Sequence, residues 1–352
     1  MTQWILAINP GSTSTKLAIF QGTDQFASET LRHQVDELAP VISDQLDYRL
    51  KLVEEWLEKT PVRDQLSAVV GRGGLLKPLA GGTYPVNQQM LADLRVGVQG
   101  QHASNLGGLI AHALGERLGI PAFIVDPVAV DEFIPEARVS GMPEIPRRSL
   151  SHALNIRAVA HRAAEDLGQP LGEANMIVVH LGGGISVAPL LAGRMLDVNN
   201  ANEAGPFSPE RTGGLPAGDL LKMAFSGEYT ESELLRKLTR QGGLLAYLGS
   251  NDGMEIENRI LDGDQEAEAV FYAMAYQVAK EVGAMAAVLS GAVRAIVITG
   301  GLAHSDRLVG WIKDHVRFIA PVLIYPGEDE LQALVEGCLR VLSGAEQPRE
   351  YV

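Results

Sequence analysis

The sequence predicts an α/β chain of two similar domains, each presenting a glycine-bearing turn to a shared cleft. Three observations predict it. Residues 4–20 run as apolar strand, polar turn and apolar strand, and residues 176–188 repeat that design about 170 residues later. A further apolar strand, Ala295–Thr299, meets a third turn at Gly300-Gly301. Between them, short apolar runs alternate with stretches of helical spacing. At 352 residues the chain holds two domains of ordinary size.

The opening run, Trp4 to Ile8, stops at Asn9-Pro10-Gly11; hydroxyl residues fill Ser12 to Thr15, and after Lys16 the pattern turns apolar through Phe20. An amide, several hydroxyls and backbone N–H groups beside a glycine suit phosphate oxygens. A plain hairpin with a polar turn has the same composition. The loop leads into a strand, whereas P-loops and dinucleotide loops lead into a helix. Gly11 to Lys16 also lacks the Gly before and the Ser/Thr after the Lys, and no G-x-G-x-x-G occurs.

Residues 45–59 have helical spacing, with Leu46, Leu50, Val53 and Leu57 on one face. Ser67 to Arg72 reads as a strand entering the turn Gly71–Gly74, where Arg72 is either a bidentate anion ligand or an ordinary turn arginine. A helix over 104–118 precedes a strand over 121–126 that ends at Asp126, a candidate reaction-centre carboxylate or a simple strand-end Asp. Ser140 to Pro146 is the best boundary. A helix over 151–168 is expected to be capped by Ser151 or Ser149, with Arg147 and Arg148 just before it, where an anion can sit.

The second hairpin carries His180 at the strand end and Gly182, Gly183 and Gly184 in its turn. A third strand is expected over 194–198, after a turn at Ala192-Gly193. The loop 205–214 carries Glu210 and Arg211, and 267–293 reads as a core helix. Near the end, Glu328-Asp329-Glu330 precede a helix over 331–342, which the helix dipole alone would explain.

A net charge of −14, with no basic run longer than Arg147-Arg148, argues against nucleic acid and anionic membrane surfaces as partners. One cysteine, Cys338, excludes an internal disulfide and a cysteine metal cluster, and its apolar setting reads as a buried thiol. No leader peptide or membrane span is expected, so the cytoplasm is the expected location.

Taken in order, Asn9 to Lys16, Gly71-Arg72-Gly73-Gly74, Phe123 to Pro127, His180 to Gly184, Thr299 to Gly301 and Glu328 to Leu331 resemble the acetate and butyrate kinases across nearly the whole chain. The Asn-Pro-Gly-Ser-Thr-Ser-Thr-Lys form resembles the butyrate branch. The resemblance implies two duplicated actin-like, sugar-kinase-like (ribonuclease H-like) domains facing an interdomain cleft. It implies a first domain of 1–148 plus 331–352, with the C-terminal helix returning to it, and a second of 149–330. The implied reaction is ATP + butyrate ⇌ ADP + butyryl phosphate with Mg²⁺, in a homo-oligomer. Isobutyrate, propionate or acetate are alternative acceptors.

By resemblance, Asn9, Ser12, Ser14 and Lys16 would line the phosphate path, and Arg72 would hold the carboxylate or acyl phosphate. Asp126 would sit at the reaction centre near Mg²⁺, with Asp329 and Glu330 also metal-associated. His180 and Gly182 to Gly184 would contact ATP phosphates, and Thr299, Gly300 and Gly301 would lie by the adenosine. Three positions depart from the acetate kinase pattern: Arg148 stands at a catalytic His, Gly183 at an Asn and Pro216 at an Arg. Arg148 or Arg211 is therefore expected to supply a missing cation. A sugar or alcohol kinase using Asp126 as base, or a non-catalytic actin-like nucleotide-binding protein, are the rival readings.

Overall fold

The structure is a computed structural model that describes residues 2–352. In chain order come β1 (Trp4–Pro10), β2 (Ser14–Gln21), β3 (Asp24–Arg32), α1 (Leu46–Leu57), β4 (Leu66–Arg72), β5 (Thr83–Pro85), α2 (Gln88–Val96), α3 (Asn105–Leu118) and β6 (Ala122–Val125). Next are α4 (Pro135–Arg138), α5 (Ala153–Asp166), β7 (Met176–Leu181), β8 (Ile185–Leu191), β9 (Arg194–Met195), α6 (Ala217–Ala224) and α7 (Glu231–Arg240). The chain continues with α8 (Gly243–Leu248), α9 (Gly253–Leu261), α10 (Gln265–Val288), β10 (Ala295–Gly300), α11 (Asp306–Val316), β11 (Val322–Pro326) and α12 (Glu330–Leu342).

Two compact units result: Met1–Asp131 with Asp329–Val352, and Glu132–Glu328. Their sheets share one plan. The first has the order β3-β2-β1-β4-β6-β5 and the second, written the same way round, β9-β8-β7-β10-β11. In each, three strands meander antiparallel and two more join in parallel, and the first sheet adds β5 antiparallel to β6. The inner strands β7 and β10 are buried at every residue and read as unbroken apolar runs, such as Ile296-Val297-Ile298, whereas the edge strand β11 is half-buried to exposed.

In the first unit Leu6, Ile8, Leu17 and Ile19 pack with Leu50, Val53 and Leu57 of α1 and with Leu106 and Ile110 of α3. In the second, Ile177, Val179, Ile296 and Ile298 pack with Phe271, Met274 and Val278 of α10 and Ile312 of α11. The helices after the last parallel strands are exchanged. α5, which follows β6, packs on β7 and β10, and α12, which follows β11, packs on β1, β4 and β6. Cys338 on α12 is fully buried, and burial pushes its thiol pKa up to about 12.

Several expectations shift. The first unit ends at Asp131 instead of 148, because 132–148 is tied to the second unit. The Met195 N–H donates to Glu132 Oε2 at 2.8 Å, the Ile134 N–H donates to the Leu196 carbonyl at 3.1 Å, and Arg147 grips Asp197 with Nη2 at 2.8 Å. The third strand of the second unit is shorter than the expected 194–198 and spans two residues, β9. Ser151 does not cap α5; its hydroxyl lies 3.7 Å from Met195 Sδ, and His152 holds the N-cap position. β3 was not read from the sequence because its residues are exposed or half-buried throughout, which leaves no apolar alternation to detect.

Candidate active site

Two sets of residues answer the sequence expectations, one in each unit. In the first unit the set is built at the carboxyl ends of β1, β4 and β6. β4 delivers Arg72 in a narrow place. A β-carbon on Gly71 would come 2.1 Å from the Gly107 carbonyl oxygen of α3, so only glycine permits this backbone-to-backbone approach. Arg72 Nη1 lies 2.5 Å from Glu330 Oε1 and donates to Asn9 Oδ1 at 3.4 Å. Asn9 Nδ2 donates to the other Glu330 oxygen at 2.5 Å. Glu330 is thereby held by a cation and an amide, across 321 residues of sequence from Asn9.

Asp126 adjoins this set because β4–β6 pairing places Arg72 opposite Val125. It is buried, with φ at +39°, a left-handed conformation that a short polar side chain tolerates only when its surroundings fix it. Its Oδ1 accepts from the Gly82 N–H at 2.7 Å while its own N–H donates to the Gly82 carbonyl at 3.0 Å. Asp329, expected to be metal-associated, caps α12, its Oδ1 accepting from the Gln332 N–H at 3.0 Å. Glu330 takes the inner position. Among the described residues, no three His, Cys, Asp or Glu side chains are grouped to hold a metal ion.

The turn between β1 and β2 is organised by a residue that the sequence reading did not single out. Arg49 of α1 is fully buried. Its Nη1 donates to the carbonyls of Gly11 (2.8 Å) and Ser14 (3.1 Å) and to Thr15 Oγ1 (3.2 Å). Nη2 donates to the Ser12 carbonyl (3.0 Å), and both Nη2 (2.8 Å) and Nε (3.1 Å) reach Gln45 Oε1. Burial lowers the pKa of this guanidinium. A signal was available: Arg49 lies four residues from both Gln45 and Val53, on the stripe that ends at Leu57. Ser12 and Lys16 are exposed and Ser14 is half-buried.

His33 sits against the same turn, its Nε2 2.8 Å from Thr15 Oγ1. Burial, and then the Arg49 charge, lowers its pKa to about 4. The unfolded chain therefore takes up a proton below the ordinary value of 6.5 that the folded chain refuses. The stability this neutral imidazole allows is full above pH 6.5 and is lost as pH falls toward 4. Between pH 7 and pH 5 the expected loss is about 2 kcal/mol. Urea unfolding of the wild type and of His33→Gln at both pH values reads it as the difference between their losses; equal losses would exclude it.

In the second unit the set lies where β7 and β10 end. Thr299 pairs in register with His180. His180 Nδ1 meets Asn155 Oδ1 at 2.7 Å, its Nε2 lies 3.1 Å from Glu328 Oε1, and its ring stacks on His152 with centroids 3.9 Å apart. His152 is in turn fixed by Ser186 Oγ at 3.0 Å.

Each glycine of the following turn faces a charged side chain. A β-carbon on Gly182 would come 2.7 Å from Glu328 Oε1, on Gly183 3.4 Å from Glu210 Oε1, and on Gly184 2.4 Å from Arg211 Nη1. Ser208 Oγ donates to the Gly183 carbonyl at 2.6 Å. Gly300 (φ +94°) and Gly327 exchange two backbone hydrogen bonds, at 3.2 and 3.0 Å. The structure thus gathers His180, Gly182–Gly184, Thr299–Gly301 and Arg211. Arg148 is exposed and no contact ties it to this set, while Arg147 is committed to Asp197.

Known proteins match this chain in sequence and in architecture. The acetokinase family matches residues 145–315. Butyrate kinase 2 of Clostridium acetobutylicum is 51% identical over 351 residues, covering 99% of each chain. A protein of Caldanaerobacter subterraneus subsp. tengcongensis named "Probable butyrate kinase 2" is 53% identical over 350 residues, again 99% of each. The crystal structure of Porphyromonas gingivalis acetate kinase superposes with a TM-score of 0.79 at 19% identity, over 97% of this chain and 100% of that one, which bears out the two-domain α/β, actin-like fold. Identity of 51–53% over 99% of the chain settles the kinship: the chain belongs to the acetokinase family.

Proposed function

We propose that the protein is a cytoplasmic, homo-oligomeric butyrate kinase that catalyses ATP + butyrate ⇌ ADP + butyryl phosphate by direct in-line transfer. The whole-length identity to butyrate kinases carries this reading. The Arg72–Asn9–Glu330 cluster supplies the residue types the chemistry needs. A carboxylate is ionised at neutral pH, so attack on the γ-phosphorus needs no general base. One butyrate oxygen bonds to phosphorus as the bond to the β-phosphate oxygen breaks and ADP leaves. The protein's task is to align two anions and offset their charge.

Arg72 holds the acyl carboxylate at the end of β4. His180, Gly182–Gly184 and Arg211 face the nucleotide phosphates, and Thr299–Gly301 the adenosine. Arg211 is the better candidate for the extra cation, since its guanidinium lies against Gly184 while Arg148 is exposed. Mg²⁺ uses one or two carboxylates and completes its shell with phosphates and water. Asp126 and Glu330 fit that need, because α12 brings Gly337 against Val125 and so sets both carboxylates at one end of the sheet. When bound, Mg²⁺ draws the phosphates together and offsets their charge. Among the described residues, no helix is long and apolar enough to cross a membrane.

The test is acyl phosphate formation from MgATP, trapped as hydroxamate, across C2 to C6 carboxylates. A maximum at C4 is expected. A maximum at C2 or C3 moves the assignment to acetate or propionate. No hydroxamate from folded, nucleotide-binding protein rejects carboxylate phosphorylation and returns attention to alcohol acceptors with Asp126 as base.

A further inference from the structure

We infer that Arg49 is a positioning residue for phosphate binding, setting the Gly11–Ser14 turn so that the Ser12 and Thr13 N–H groups face the phosphate chain of the nucleotide. This rests on the kinase reading above. The argument begins with peptide geometry. Across a trans peptide, a carbonyl and the next N–H point in opposite directions. Arg49 draws the Gly11 and Ser12 carbonyls inward. The N–H groups of Ser12 and Thr13 must then point outward, where both residues are exposed. Among the described residues, neither N–H has a protein acceptor. Two successive outward N–H groups form an anion-binding concavity.

Charge points the same way. The groups around the guanidinium are carbonyls, Gln45, the Thr15 hydroxyl, neutral His33 and Tyr48, and none of its hydrogen-bond partners is a carboxylate. A buried cation without an anion is costly. An anion seated on the outer face of the turn offsets that cost. Lysine cannot substitute, since an ammonium has three donors and no planar fork to hold three carbonyls and two side chains at once.

The experiment combines two readouts on the full chain, with ADP and a non-hydrolysable ATP analogue as probes. In ¹⁵N-labelled wild type, the Ser12 and Thr13 amides are expected to shift on saturation with either probe; unmoved amides overturn the proposal. By calorimetry, Arg49→Gln and Arg49→Lys are each expected to weaken probe binding at least tenfold, in line with loss of a charged hydrogen-bond network. Leu50→Ala is expected to lower thermal stability with probe affinity unchanged, which separates positioning from general destabilisation. Wild-type affinity in folded Arg49→Lys, or equal weakening in Leu50→Ala, overturns the proposal. Should Arg49→Gln fail to fold, the lysine variant and the amide shifts decide. Amide shifts without any hydroxamate would sink the kinase reading alone; hydroxamate without amide shifts would sink this inference alone.

Discussion

Arg72→Ala is expected to lower kcat about 10³-fold, the scale of a lost arginine that offsets charge in phosphoryl transfer. Its KM for butyrate should rise as well, because the same guanidinium meets the acyl carboxylate before and during transfer. Stability should change little. The Arg72 and Glu330 side chains are 24% and 25% exposed, so Glu330 left alone can be hydrated. A partly exposed pair of this kind is worth about 1 kcal/mol or less. The measurements are hydroxamate kinetics and a melting curve. A normally folded Arg72→Ala retaining half its activity removes Arg72 from the reaction.

Gly107→Ala is the second large effect, and its sign runs against helix propensity. Alanine inside a helix is ordinarily better than glycine by about 1 kcal/mol. Here its β-carbon would come 2.2 Å from the Arg72 carbonyl oxygen and 2.8 Å from the Arg72 nitrogen. Both obstacles are backbone, so no rotamer change relieves them. α3 must move off β4, with an expected loss of about 1–3 kcal/mol. Displacing Arg72 by about an ångström should lower kcat about 10²-fold. Denaturant unfolding and hydroxamate kinetics read both effects; a variant that gains stability and keeps full activity excludes the close packing.

Much of this was legible in the sequence because it rests on patterns the chain repeats. The two hairpins, the strand ends at Arg72, Asp126 and His180, and the glycine turns all announce themselves by apolar runs meeting polar or glycine residues. Arg49 was passed over because an arginine on an amphipathic helix is ordinarily counted on the wet side, although its spacing from Gln45, Val53 and Leu57 put it on the inner stripe where the structure buries it. The roles of Asp329 and Glu330 also needed coordinates. Adjacent acids before a helix look alike in sequence, and one is spent on the cap while its neighbour turns inward. The boundary after Asp131 was obscured because its cause, the grip of Glu132 and Arg147 on residues 195–198, joins segments about 50 to 60 residues apart.

The exchanged helices have a consequence for how the protein is born. Residues 132–328 form one continuous stretch, so that unit is complete as soon as its last strand leaves the ribosome. The first unit is not. Its sheet waits for α12, its Arg72 waits for Glu330, and its surface waits for Arg349 and Tyr351. The Arg349 N–H donates to the Thr83 carbonyl at 2.9 Å, and the Tyr351 hydroxyl donates to Asp93 Oδ2 at 2.8 Å. The unit whose strands β1 to β6 are translated earlier is thus the later of the two to mature, because its Arg72 cluster is unfinished until α12 has been made.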